Sequence, residues 1–122
     1  MNQLQEIAAQ LLKHNYLILT GHAIPDGDCI GSMLGLHCAL QNLGKKVEMI
    51  LEDPVPAIYH YLPHWEDIRP PVISERHGFA AVYLDCSDQC RVSEEVRQVL
   101  QNAAVTINID HHRDNSRFGD YY

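Results

Sequence analysis

Short apolar runs alternate with stretches of helical spacing along this chain, and that alternation constrains its fold more than any other feature. The runs are YLILT (Tyr16–Thr20), KVEMIL (Lys46–Leu51), FAAVYLD (Phe79–Asp85) and AVTINID (Ala104–Asp110). They are too short for helices and lack a strict polar alternation, so each reads as a buried strand. Leu4, Ile7, Ala8, Leu11 and Leu12 follow the i, i+3, i+4, i+7, i+8 pattern of an amphipathic helix. Asp28 to Leu43 reads as a second helix, with Ile30, Met33, Leu34, His37 and Leu40 on one stripe and Gly44 as its stop. Ser93 reads as the N-cap of a third, with Glu94 and Glu95 in the first turn and Val96, Val99 and Leu100 on one face. The pattern predicts an α/β doubly wound fold: a mainly parallel sheet with helices on both faces. The proline-rich middle predicts a short helix near Ala57 to Tyr61 and an edge segment around Ile68 to Ile73. The tail HHRDNSRFGDYY reads as loop.

A length of 122 residues suits one domain with a real core. No apolar run approaches the roughly 20 residues needed to span a bilayer, and the N-terminus lacks a signal-peptide layout. A cytoplasmic location is the default expectation. Cys29, Cys38, Cys86 and Cys90 form no CxxC pair and read as free thiols in a reducing compartment rather than a zinc site. The formal net charge of −7 argues against a duplex-binding patch. A small phosphate substrate stays open, because a bound divalent cation reverses the local sign.

The chemistry gathers where strands end. YLILT is followed by GHAIPDGDCIGS, which carries His22, Asp26 and Asp28; FAAVYLD ends in Asp85; AVTINID ends in Asp110, then His111 and His112. Ligand sites of open parallel sheets lie beyond the carboxyl ends of the strands, so these residues are expected to meet. Carboxylates so crowded repel one another unless a cation compensates them. Oxygen and imidazole donors without thiolates suit Mn²⁺, Mg²⁺, or a non-thiolate Zn²⁺ or Fe²⁺. The number of ligands allows two metals about 3.5–4 Å apart, with Asp85 the natural bridge. Pro25 fixes one backbone angle of the first turn, and Gly27 is expected to supply a conformation that other residues resist.

Each residue also has a plainer reading. Asp26 or Asp28 alone would serve as a helix N-cap, Asp85 as a strand-end turn residue, and the paired histidines as loop residues. His14, His37, His60, His64 and His77 show no such placement and read as structural or surface residues.

On GHAIPDGDCIGS, then VYLDCSD with Arg91 downstream, then DHH, the chain resembles the DHH phosphoesterase superfamily. Within it, PDGDCIGSMLGLHCALQNLGKKVEMILED and NSRFGDYY resemble the bifunctional oligoribonuclease and PAP phosphatase group. The resemblance implies two Mn²⁺ ions and a metal-activated hydroxide that attacks phosphorus. His22, Asp26 and Asp85 would hold one ion, and Asp28, Asp85 and His111 the other. His112 would face the scissile phosphate, with Asp110 orienting an imidazole. Arg91, Arg113 and Arg117 are candidate phosphate contacts. The implied substrates are short single-stranded oligonucleotides or 3′-phosphoadenosine 5′-phosphate (PAP), and a homodimer is compatible with the sequence.

The resemblance also implies a further ligand aspartate beyond DHH and a C-terminal domain with a Gly-rich, histidine-containing substrate motif. Asp114 and Asp120 follow His112 too closely to replace that aspartate, and nothing here matches the motif. Residues 1–122 are therefore expected to be a truncated N-terminal domain, weakly active or inactive alone. Two alternatives stand beside this reading. One is a family II-type inorganic pyrophosphatase, for which IPDGD in place of NPDTD is a departure. The other is a non-catalytic metal- or nucleotide-binding fragment.

Overall fold

The computed structural model describes residues 2–72, 77–88 and 91–122. Its elements in chain order are α1 (Gln3–Lys13), β1 (Tyr16–Thr20), α2 (Gly27–Asn42), β2 (Lys46–Ile50), β3 (Ile68–Arg69), β4 (Ala80–Leu84), α3 (Glu94–Leu100) and β5 (Val105–Ile109). The five strands form one sheet, ordered β3-β2-β1-β4-β5, and every pairing is parallel. This is the α/β fold expected, and the order reverses direction between β1 and β4, where doubly wound sheets hold their ligands.

Both faces of the sheet are covered, which is why its strands carry little polar alternation. Leu17, Leu19, Val82 and Ile107 pack with Ile30, Met33 and Leu34 of α2 and Ile7 of α1. Ile18, Phe79, Ala81 and Tyr83 pack on the other side with Val96, Val99 and Leu100 of α3. Fully burying one such side chain contributes roughly 1.5–3 kcal/mol. Gly44, at φ 79, follows α2 as its stop. Ser93 Oγ accepts from Val96 N–H and caps α3. None of the described helices is long and apolar enough to cross a membrane.

Four local expectations change. In α1 only Ile7 is buried, while Leu4 and Leu12 are exposed, because the helix meets the sheet along one narrow line. The helix expected at Ala57 to Tyr61 is one 3₁₀ turn, Ala57–Tyr59, and a second, Trp65–Asp67, leads into β3. The edge segment contracts to Ile68–Arg69; Ile73 lies outside the described residues, as does Cys90. The tail is more than a loop at its end: Tyr121 lies parallel to Ile107 on the open side of β5. There Asn108 N–H donates to Tyr121 O at 2.8 Å and Tyr121 N–H to Thr106 O at 3.1 Å.

Candidate metal centre

Strand register brings the three ionisable clusters to one edge. Thr20 pairs with Tyr83 and Leu84 with Ile109. Two residues beyond the first pair come His22 and Asp85, and one beyond the second come Asp85 and Asp110. Adjacent parallel strands thus end in phase.

Asp85 is the centre. Its side chain is 4% exposed, and its two oxygens face different partners. Oδ2 lies 3.4 Å from His22 Nε2, and Oδ1 lies 2.8 Å from His111 Nε2. Asp85 holds φ 55, a left-handed conformation uncommon for a residue with a side chain. The surrounding bonds hold it there: Asp85 N–H donates to Ile109 O at 3.0 Å, and Asn108 Nδ2 donates to Cys86 O at 2.9 Å.

The β1–α2 turn supplies the first partners. Asp26 caps α2, its Oδ1 accepting from Cys29 N–H at 3.0 Å, and the same oxygen lies 3.7 Å from His22 Nε2. That backbone donor, aided by His22, holds the Asp26 carboxyl below its ordinary pKa. The capping role and membership of the cluster therefore belong to one side chain. His22 Nδ1–H donates to Ala23 O at 2.8 Å, which leaves the Nε2 lone pair toward the carboxylates. The turn is pinned by Ala23 N–H to Arg91 O and by Ile24 N–H to Asp53 Oδ2 at 2.8 Å. The left-handed residue here is Ile24, at φ 55; Gly27 is an ordinary first helical residue, which corrects the role expected of it. The glycine the turn requires is Gly21, where a Cβ would stand 2.0 Å from Cys29 Sγ. Burial pushes the Cys29 thiol up to about 12 and the Cys86 thiol up to about 11, so neither offers a thiolate at neutral pH.

On the other side, His111 Nε2 is 3.9 Å from Asp28 Oδ2, and both side chains are largely exposed. His112 Nδ1 makes a short hydrogen bond to Asp110 Oδ1 and lies 4.0 Å from Asp85 Oδ1. Asp110 raises the pKa of His112. Burial raises the pKa of Asp110, but hydrogen bonds from Asn115 and His112 outweigh it and leave the carboxyl below its ordinary range.

Asn115 and Asn108 also escaped the sequence reading. Asn115 Nδ2 donates to Asp110 Oδ2 and to Asn108 Oδ1, each at 2.8 Å, and ties the histidine loop to β5. A fully polar amide between Ile107 and Ile109 in a buried strand was the available signal. Arg91 and Arg113 are exposed, as is Arg117. Among the described residues no side-chain hydrogen bond or ion pair joins these three arginines to the carboxylates. Asp120 is occupied elsewhere, its Oδ2 accepting from Thr106 N–H at 2.9 Å.

Donor atoms from Asp85, Asp110, His111 and His112 lie within 4.8 Å of one another, as do donor atoms from His22, Asp26 and Asp85. Asp85 belongs to both groups, one oxygen toward each histidine. Oxygen and imidazole donors sharing one central carboxylate suit a pair of hard or borderline divalent ions.

The chain is similar to several known proteins. The bifunctional oligoribonuclease and PAP phosphatase NrnA of Thermus thermophilus is 37% identical over 115 residues, which cover 93% of this chain and 33% of that protein. A probable protein of the same name from Streptococcus mutans is 25% identical over 121 residues, or 98% of this chain and 37% of that protein. The chain thus spans about a third of the length of these relatives. A crystal structure of an exopolyphosphatase-related protein from Bacteroides fragilis superposes with a TM-score of 0.84 at 25% identity, covering 98% of this chain and 37% of that one. Residues 16–121 match the DHH family, N-terminal domain. With its motifs at the ends of β1, β4 and β5 and that match across most of its length, the chain belongs to the DHH family.

Proposed function

We propose that residues 1–122 form the metal-bearing domain of a phosphoesterase acting on short oligonucleotides or PAP. The observation that carries the reading is the division of the Asp85 carboxylate between His22 and His111. Two Mn²⁺ ions, or Mg²⁺ in their place, would neutralise phosphate charge there and lower the pKa of a bound water. His22, Asp26 and Asp85 would hold one ion, and Asp28, Asp85 and His111 the other. Asp110 accepts from His112 Nδ1–H and raises the pKa of the ring, favouring the imidazolium, whose Nε2–H would serve the leaving oxygen. Arg91 and Arg113, both exposed, would take up the outlying charge of a nucleotide. The substrate class rests on the names of the two relatives. The buried, free Cys29 and Cys86 suit a reducing compartment such as the cytoplasm.

The exopolyphosphatase-related neighbour favours a second reading, hydrolysis of phosphoanhydrides such as pyrophosphate. Hydrolysis of PAP and of pyrophosphate, read as released phosphate, and of a dinucleotide, read as mononucleotide product, each measured with Mn²⁺ and after chelation, separates the two. Mn²⁺-dependent hydrolysis of PAP or the dinucleotide is the expected result, weak for residues 1–122 alone and faster for a longer chain that continues past Tyr122. Release from pyrophosphate alone would establish the second reading, and stoichiometric Mn²⁺ binding with no turnover in the longer chain would make this domain a binding module.

A further inference from the structure

His37 is a histidine in the wrong place for an ordinary core residue. It is 3% exposed, and neither ring nitrogen has a hydrogen-bond partner. A buried imidazole left so costs free energy, because water satisfied both nitrogens before folding. Its ring lies 6.0 Å from that of His64, centroid to centroid. His64 Nδ1 is 3.2 Å from Asp67 Oδ2. One donor atom from each of His37, His64 and Asp67 lies within 4.8 Å of the others. A cavity of about 490 Å³, lined by His37, Gln41, Glu48 and Asp67 among others, gives an ion a path to the buried ring.

We propose that His37, His64 and Asp67 form a second cation site, suited to a borderline divalent ion of the Zn²⁺ class and separate from the centre around Asp85. His37 stands nine residues beyond Asp28 on α2, about 13 Å along the helix axis. Two imidazoles and one carboxylate prefer a softer ion than the carboxylate-rich centre does. Three protein ligands leave a fourth position for water. Burial lowers the pKa of His37, against a smaller opposing pull from Asp67, so the ring is neutral and has a lone pair to give at pH 7. The ion would tie α2 to the 3₁₀ turn Trp65–Asp67 and so brace β3, an edge strand of two residues.

The test removes the first centre and looks for the second. In an Asp85→Asn/His111→Ala background, Zn²⁺ calorimetry is expected to show one equivalent at micromolar affinity or tighter, and Co²⁺ a ligand-field absorption band. His64→Ala and Asp67→Asn, both at exposed positions that leave the core intact, are expected to weaken Zn²⁺ binding at least about tenfold. Histidine ring NMR should show the His37 signals shifting on Zn²⁺ addition in the same background. No Zn²⁺ binding there, or binding that His64→Ala and Asp67→Asn leave unchanged, would overturn the proposal.

Discussion

His111 Nε2 lies 2.8 Å from Asp85 Oδ1, a contact that closes 26 residues of sequence and joins the ends of two neighbouring strands. The opposite oxygen of that carboxylate faces His22. A buried acid shared between two imidazoles is the element on which the proposed pair of metal ions would depend. Asp85→Asn keeps the volume while removing the charge. We expect a folded protein whose Mn²⁺ affinity falls by more than about 100-fold, since even residues behind a ligand cost 10–100-fold when lost. Electron paramagnetic resonance titration of free Mn²⁺ measures it, and wild-type affinity in Asp85→Asn would remove Asp85 from the centre.

Asp26 does two things with one oxygen: it caps α2 through Cys29 N–H and sits 3.7 Å from His22 Nε2. The two roles separate by substitution. Asp26→Ser retains a capping oxygen and should cost only a few tenths of a kcal/mol, whereas Asp26→Ala should cost about 1 kcal/mol. Both should lose Mn²⁺ affinity about equally. Urea denaturation and Mn²⁺ titration of the pair give the comparison; a serine variant that binds like wild type would leave Asp26 as a cap alone.

The large features of this molecule were legible because they depend on local period. Unbroken apolar runs marked β1 and β4, and a strand that ends in Asp85 places its acid at the sheet edge wherever its neighbours lie. What the pattern missed depends on contacts between distant segments. Gly21 is required by Cys29, which stands across the turn, and Ile24 keeps its left-handed backbone because Asp53 accepts its N–H. Asn115 matters through Asp110 and Asn108, and His37 through His64. Periodicity marked α1 as amphipathic, yet only packing decides that Ile7 is covered and Leu4 is not.

Gly21 permits the closest approach in the β1–α2 turn. A Cβ there would stand 2.0 Å from Cys29 Sγ and 3.3 Å from Leu84 O. Gly21→Ala is therefore expected to destabilise the fold by roughly 1–3 kcal/mol through overpacking. Cys29→Ala removes the sulfur and leaves its Cβ at 3.7 Å, an ordinary contact. The double variant should recover most of the loss, but not all, because Leu84 O remains. Denaturation of the four proteins in the cycle tests this, and strictly additive losses would show that the sulfur is not the obstacle.

Alkaline pH should weaken the fold through its buried acids. Burial raises Cys29 to about 12, Cys86 to about 11 and Tyr83 to about 12. Below the ordinary thiol range, about 8.5, each thiol is protonated whether folded or not, so stability is flat with respect to them. Above it the unfolded chain releases its protons first, and stability falls until pH passes the folded values. At about pH 10 the loss should reach roughly 1–2 kcal/mol for each thiol, with Tyr83 beginning to contribute. Urea midpoints under reducing conditions at about pH 7.5 and about pH 10 give the difference, and Cys29→Ala/Cys86→Ala should remove most of it. An undiminished pH dependence in that variant would assign the alkaline sensitivity to other groups.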